Sequence, residues 1–155
     1  MRKQKGFSLI ELLIVVAIIL IIAAIAIPNL LRSRIAANEA SAVGSLRTIN
    51  TGEVTYSSTY PQNGFCNLAS LGGAGGVASG AGLIDTVLAG GTKSGYSFTA
   101  VAAGGNPPTT PNTTYDGHGD PSSAQTGQRH FFSDQSGVIR FNVSGAATST
   151  DNPLQ

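Results

Sequence analysis

Residues 7–27 read FSLIELLIVVAIILIIAAIAI, an apolar run of 21 residues interrupted by one ionisable side chain, Glu11. A helix needs about 20 such residues to cross the hydrocarbon core of a bilayer, and inside lipid a helix satisfies its own backbone polar groups. The run therefore dictates a helix, and one that needs either lipid or other apolar surface around it. Arg2, Lys3 and Lys5 precede it and Arg32 and Arg34 follow. The bias is modest, but the leading cluster is the larger and Lys/Arg-rich flanks stay cytoplasmic, so the expected orientation is N-terminus inside and the rest of the chain outside.

Two residues do not suit a simple anchor. Glu11 lies within the first turns of the run, where an ionised carboxylate costs on the order of a few kcal/mol unless it is partnered. It either reaches back toward the headgroups or has a partner, and an intramembrane carboxylate is by default a functional residue. Gly6 stands between the basic residues and the apolar run, a small residue at a peptide bond that a protease at the membrane face can reach. A secretory signal peptide is the rival reading, since Ala24-Ile25-Ala26 offers an A-x-A site. The run exceeds the roughly 7–15 apolar residues usual there, and such a peptide has no use for Glu11.

The string Lys5-Gly6-Phe7-Ser8-Leu9-Ile10-Glu11-Leu12, with Pro28 beyond it, closely resembles the leader and first helix of type IV prepilins and of the related pseudopilins of type II secretion. The resemblance is close over about 30 residues and looser to about residue 55. It implies cleavage between Gly6 and Phe7 by a prepilin peptidase, with methylation of the new amino terminus at Phe7. It also implies that Glu11 meets the N-terminal amine of a neighbouring subunit during assembly, and that Pro28 is the helix-kinking proline. Burying two ions is offset only when they pair, so such a contact selects axial register more than it adds stability.

Beyond Pro28 the pattern stays helical and becomes amphipathic. Leu31, Ile35, Ala42, Leu46 and Ile49 share one face, while Arg32, Arg34, Asn38, Glu39, Arg47 and Asn50 supply much of the polar remainder. A helix from Phe7 to about residue 53 is about 70 Å long. Pro28 removes a backbone donor and crowds the carbonyl four residues back, so a bend or unwinding is expected near Ala24. Gly52 is the expected helix stop.

The remaining residues read as a small antiparallel sheet with long loops. Tyr96, Phe98 and Ala100 alternate on one face of a strand, and Ile139, Phe141 and Val143 on another. His130–Ser133 is the expected partner of the latter, joined through Asp134-Gln135-Ser136-Gly137. Fifteen of the 20 glycines fall between Gly64 and Gly127, and residues 69–82 and 104–127 are accordingly expected to be surface loops. About 100 residues with few large apolar side chains make a thin core, which the apolar face of residues 31–49 completes. The polar stretch Ser144–Gln155 is expected to fray.

Motifs for catalysis are missing from this pattern. There is no Gly-x-Ser-x-Gly and no His-Glu-x-x-His. Ala89-Gly90-Gly91-Thr92-Lys93-Ser94-Gly95 resembles a phosphate loop, but Thr92 stands where a glycine precedes the lysine, so a polar turn is expected. Asp116 and Asp120 can offer oxygen ligands to calcium, as in some pseudopilins, but two carboxylates are too few and the stretch reads as a solvated loop with no metal. His118 and His130, far apart and with no cysteine nearby, do not make a zinc site. Asn112-Thr113-Thr114 and Asn142-Val143-Ser144 match the glycosylation sequon, which chance also produces. The lone Cys66 is expected to be a small buried residue. With no second cysteine, the C-terminal disulfide loop common in type IV pilins is not expected. The formal charge of +1 excludes a strongly basic nucleic-acid surface, and beyond the leader six Lys/Arg face eight Asp/Glu.

The expected molecule is an α+β protein. Residues 1–6 are a cleaved leader, 7–28 a hydrophobic transmembrane and filament-core helix, 29–54 its amphipathic continuation, and 55–155 a globular β-sheet head. The resemblance implies a non-enzymatic filament subunit without cofactors, held in the inner membrane before assembly and then exposed at the bacterial surface as a type IV pilus. Its implied partners are further copies of itself, the prepilin peptidase and the inner-membrane assembly machinery. A type II secretion pseudopilin or a minor pilin is the alternative.

Overall fold

The computed structural model describes residues 6–104 and 110–154. The basic residues Arg2, Lys3 and Lys5, the proline pair 107–108 and Gln155 lie outside the described residues. The chain divides into two compact units, Met1–Arg34 and Ile35–Gln155.

In the first unit the helix α1 starts at Leu9, and it ends in the second unit at Thr59. Residues 24–28 stay helical through Pro28, so the unwinding expected near Ala24 is absent. Large apolar side chains of this unit, from Phe7 to Leu31, are exposed all around the helix. A segment apolar on every side is stable only in lipid or among other apolar helices.

The second unit packs the later part of α1 on a six-stranded antiparallel sheet. The strands are β1 (Thr92–Lys93), β2 (Tyr96–Ala102), β3 (Tyr115–Pro121), β4 (His130–Asp134), β5 (Arg140–Asn142) and β6 (Asn152–Pro153), ordered in the sheet as in the sequence. Two single-turn helices, α2 (Leu68–Leu71) and α3 (Thr86–Ala89), lie in the connection from α1 to the sheet. Along α1, Ala42, Leu46, Ile49, Glu53 and Tyr56 are buried at spacings of three or four, the face a helix turns to a core. On β2, Tyr96, Phe98, Ala100 and Ala102 are buried and the alternate residues exposed. The β4–β5 hairpin pairs Phe131 with Phe141, as the alternation predicts.

Three expectations fail here. The helix does not stop at Gly52, which is buried: a side chain at that position would press on Ile84 and Leu71, so the glycine admits the chain crossing α1 there. Residues 115–121, expected as loop, are the middle strand β3. Tyr115, Gly117 and Gly119 face inward, and the two glycines lie opposite Ala100 and Phe98 of β2. An added Cβ on Gly119 would lie 3.1 Å from Phe98 Cε1 and 3.6 Å from Leu46 Cδ1. Neighbouring side chains thus fill the space the glycines leave, and glycine's poor strand propensity is overridden by packing. The C-terminal stretch is held too: β6 pairs with β5, Ala147 is fully buried, and the Leu154 N–H donates to the Ile139 carbonyl at 2.8 Å.

The stretch 69–82 is loop beyond α2, folded back on itself. Ala81, Gly82 and Leu83 donate backbone N–H groups to the carbonyls of Ser70, Gly72 and Leu71. Lys93 ends β1, and Ser94 and Gly95, at φ 51° and 74°, make the turn to β2, so the phosphate-loop lookalike is a strand end and a polar turn.

Candidate functional site

At the N-terminal end of the described chain, residues 6–8 precede the first helical residue and are exposed. A Cβ built on Gly6 would meet nothing within 4 Å, and Phe7 is 77% exposed. The bond between them is therefore reachable. Ser8 and Glu11 then form half of a capping box. The Ser8 N–H donates to Glu11 Oε2 at 3.0 Å, and the Leu12 N–H donates to the Ser8 carbonyl at 3.3 Å. The Ser-x-x-Glu spacing carries this signal in the sequence, where attention to the charge of Glu11 obscured it. Pro28 lies well along the helix from this cluster.

The other carboxylates singled out from the sequence do not converge. Asp116 and Asp120 project from one strand four residues apart, a Cα separation of about 13 Å. Asp120 Oδ1 instead meets His130 Nδ1 at 2.6 Å, and the His118 ring packs edge-on against Phe132. Among the described residues no group of three or more His, Cys, Asp or Glu is arranged to hold a metal. Asn112 is buried, its amide donating to the Phe65 carbonyl at 2.9 Å, which makes its sequon inaccessible in this fold. Cys66 is a free, buried thiol.

Sequence reasoning placed Glu39 among the polar remainder and gave Glu53 no role, yet both are buried on the inner face of α1. Their spacing from Ala42, Leu46 and Ile49 was the available signal. Glu39 Oε1 accepts the Gln128 and Arg129 N–H groups at 2.9 and 3.2 Å, and Oε2 accepts Arg129 Nε at 2.7 Å. Burial pushes the Glu39 carboxyl up, but these donors and the guanidinium outweigh it and hold it below the usual carboxylate range. Arg129 in turn stacks over Phe131 and Phe141. Asn50 joins helix to sheet as well, accepting from the Tyr115 hydroxyl at 2.8 Å and donating to Ser133 Oγ at 2.8 Å.

The model of the Prokaryotic N-terminal methylation motif matches residues 1–27, which include the exposed Gly6–Phe7 bond and Glu11. Over 39 residues the chain is 67% identical to the Type IV wide pilus major component PilA4 of Thermus thermophilus, covering 25% of this chain and 30% of that one. The N-terminal segment is similar to that of a type IV pilin. A second pilin, the Type IV major pilin protein PilA of Myxococcus xanthus, is 43% identical over 54 residues, covering 35% of this chain and 24% of that one. The chain thus spans under a third of the length of the pilins it matches. No solved structure matches it.

Proposed function

We propose that the chain is a structural subunit that polymerises into a type IV pilus filament and performs no catalysis of its own. The observation that carries this reading is a methylation-motif helix exposing apolar side chains on every side, with an accessible Gly6–Phe7 bond at its start. Such a helix suits lipid first and a bundle of its own kind afterwards. Both matched relatives are named as pilus components, which favours the pilus over a secretion pseudopilus.

In this reading a prepilin peptidase cuts after Gly6 and Phe7 becomes the methylated amino terminus. The subunit waits in the inner membrane until the assembly machinery transfers it to the filament. Glu11 of one copy receives the amine of Phe7 from the next, and Pro28 sets how the helices bundle. One repeated head-to-tail contact that does not close generates an open helical fibre.

The deciding experiment is intact-mass and N-terminal analysis of protein sheared from the cell surface. The expected species begins at methylated Phe7 and sediments as filaments. A soluble species beginning at Ile27 would overturn the proposal, because the assembly helix would be gone.

A further inference from the structure

Glu53 is the most anomalous group in the second unit. Its side chain is fully buried, and it lies where α1 meets the connecting segment 60–67. Oε2 accepts the Cys66 N–H at 3.0 Å, whereas Oε1 has no hydrogen-bond partner. The titratable groups that sense it are Cys66 from the connecting segment, Tyr56 from its own helix and Tyr115 from β3. None of these is a cation, and among the described residues no ion pair involves Glu53. An ionised carboxylate here would therefore be buried against the Cys66 amide and thiol with no countercharge, an arrangement the interior disfavours strongly. Burial accordingly pushes its carboxyl up to about 7, against the opposing pull of the Cys66 N–H and thiol.

The contrast with Glu39 is instructive. That carboxylate, on the same helix face, is given two backbone donors and a guanidinium. Glu53 receives one backbone donor from a connecting segment that is also tied to Asn112, to Tyr56 and to β2: the Phe65 N–H donates to the Asn112 carbonyl at 3.0 Å, the Asn63 side-chain amide to the Tyr56 hydroxyl at 3.1 Å, and the Ala102 N–H to Asn67 Oδ1 at 3.0 Å.

We propose that Glu53 is a proton-dependent latch, which holds the connecting segment 60–67 against α1 when protonated and releases it when ionised. Cys66, the only cysteine in the chain, sits at the latch and reports its opening directly.

The experiment is thiol labelling of Cys66 in the full chain in detergent micelles, each rate divided by that of the denatured chain at the same pH. The division removes the intrinsic thiolate dependence. The normalised rate is expected to rise roughly 70-fold from pH 5 to pH 8 as opening becomes coupled to proton loss, and Glu53→Gln is expected to abolish that rise. A normalised rate constant within about twofold across this range, or a full rise retained in Glu53→Gln, would overturn the latch. Should Glu53→Gln fail to fold, infrared titration of the Glu11→Gln chain supplies the second measurement. A protonated-carboxyl band present at pH 6 and lost by pH 8 supports the proposal, and its absence at pH 6 refutes it.

Discussion

At the scale of single residues, the three glutamates of α1 are distinguished by what surrounds them. Glu11 has a local partner in the Ser8 N–H, so its role in capping and its proposed role in pairing charge between subunits can be separated. Glutamine retains an oxygen that accepts the Ser8 N–H but carries no charge. If the charge matters, Glu11→Gln and Glu11→Ala reduce the yield of sheared filaments alike; if capping is the whole role, Glu11→Gln assembles normally. For Glu39, alanine leaves the Gln128 and Arg129 N–H groups without their acceptor, and a loss of about 2–3 kcal/mol is expected in denaturant unfolding. The two buried carboxylates also shape stability against pH in opposite senses. Glu39 is held below its unfolded value near 4.5, so its contribution is present above that pH and is lost as pH falls through the folded value. Glu53 is raised from 4.5 to about 7, so its folded form binds the proton more tightly than the unfolded chain does. Its contribution is complete below about 4.5 and declines until pH passes about 7, a change of about 3 kcal/mol. Denaturant midpoints of the full chain in micelles should therefore fall from pH 5 to pH 7.5, and Glu53→Gln should flatten that slope.

At the scale of elements, β3 shows most clearly how packing decides structure. Asp116-Gly117-His118-Gly119-Asp120 has the composition of a loop, and taken alone it carries no strand pattern. The strand becomes visible only when the glycines are counted as inward positions, their missing side chains replaced by Phe98 and by Leu46 of α1. Periodicity within a segment cannot report a side chain supplied from 70 residues away. The same holds at Gly52, which looks like a helix stop until Ile84 and Leu71 are seen crossing it, and at the C-terminus, where Ala147 and Leu154 are apolar contacts too sparse to register. By contrast the apolar run, the Tyr96 strand and the β4–β5 hairpin were legible because each repeats its own pattern locally. The N-terminal methylation motif was also legible, though not the capping bond of Glu11. Gly119→Val should press on Phe98 and Leu46 and cost about 1–3 kcal/mol, read as a lower thermal midpoint with unchanged helix content at 20 °C or so.

At the scale of the whole molecule, the two units make different demands of their surroundings. The first exposes apolar surface in every direction, whereas the second buries a core of its own that includes Leu46, Ile49, Tyr56, Tyr96, Phe98 and Phe131. Removing residues 1–34 should therefore yield a monomer soluble without detergent, with the same sheet signature by circular dichroism. Aggregation of that fragment would show that the second unit relies on the first. The order of the strands has a further consequence, which concerns time rather than stability. Because β1 to β6 lie side by side in the order in which they are synthesised, every strand pairs with its immediate successor through a short loop closure, except at β2–β3. Contacts of low sequence separation form fast, in about microseconds for a hairpin. The slow step then falls to the contacts between distant segments, typified by Glu39 and Arg129, 90 residues apart. A sheet that closes hairpin by hairpin can take shape as the chain emerges, leaving the docking of its own helix as the final event of folding.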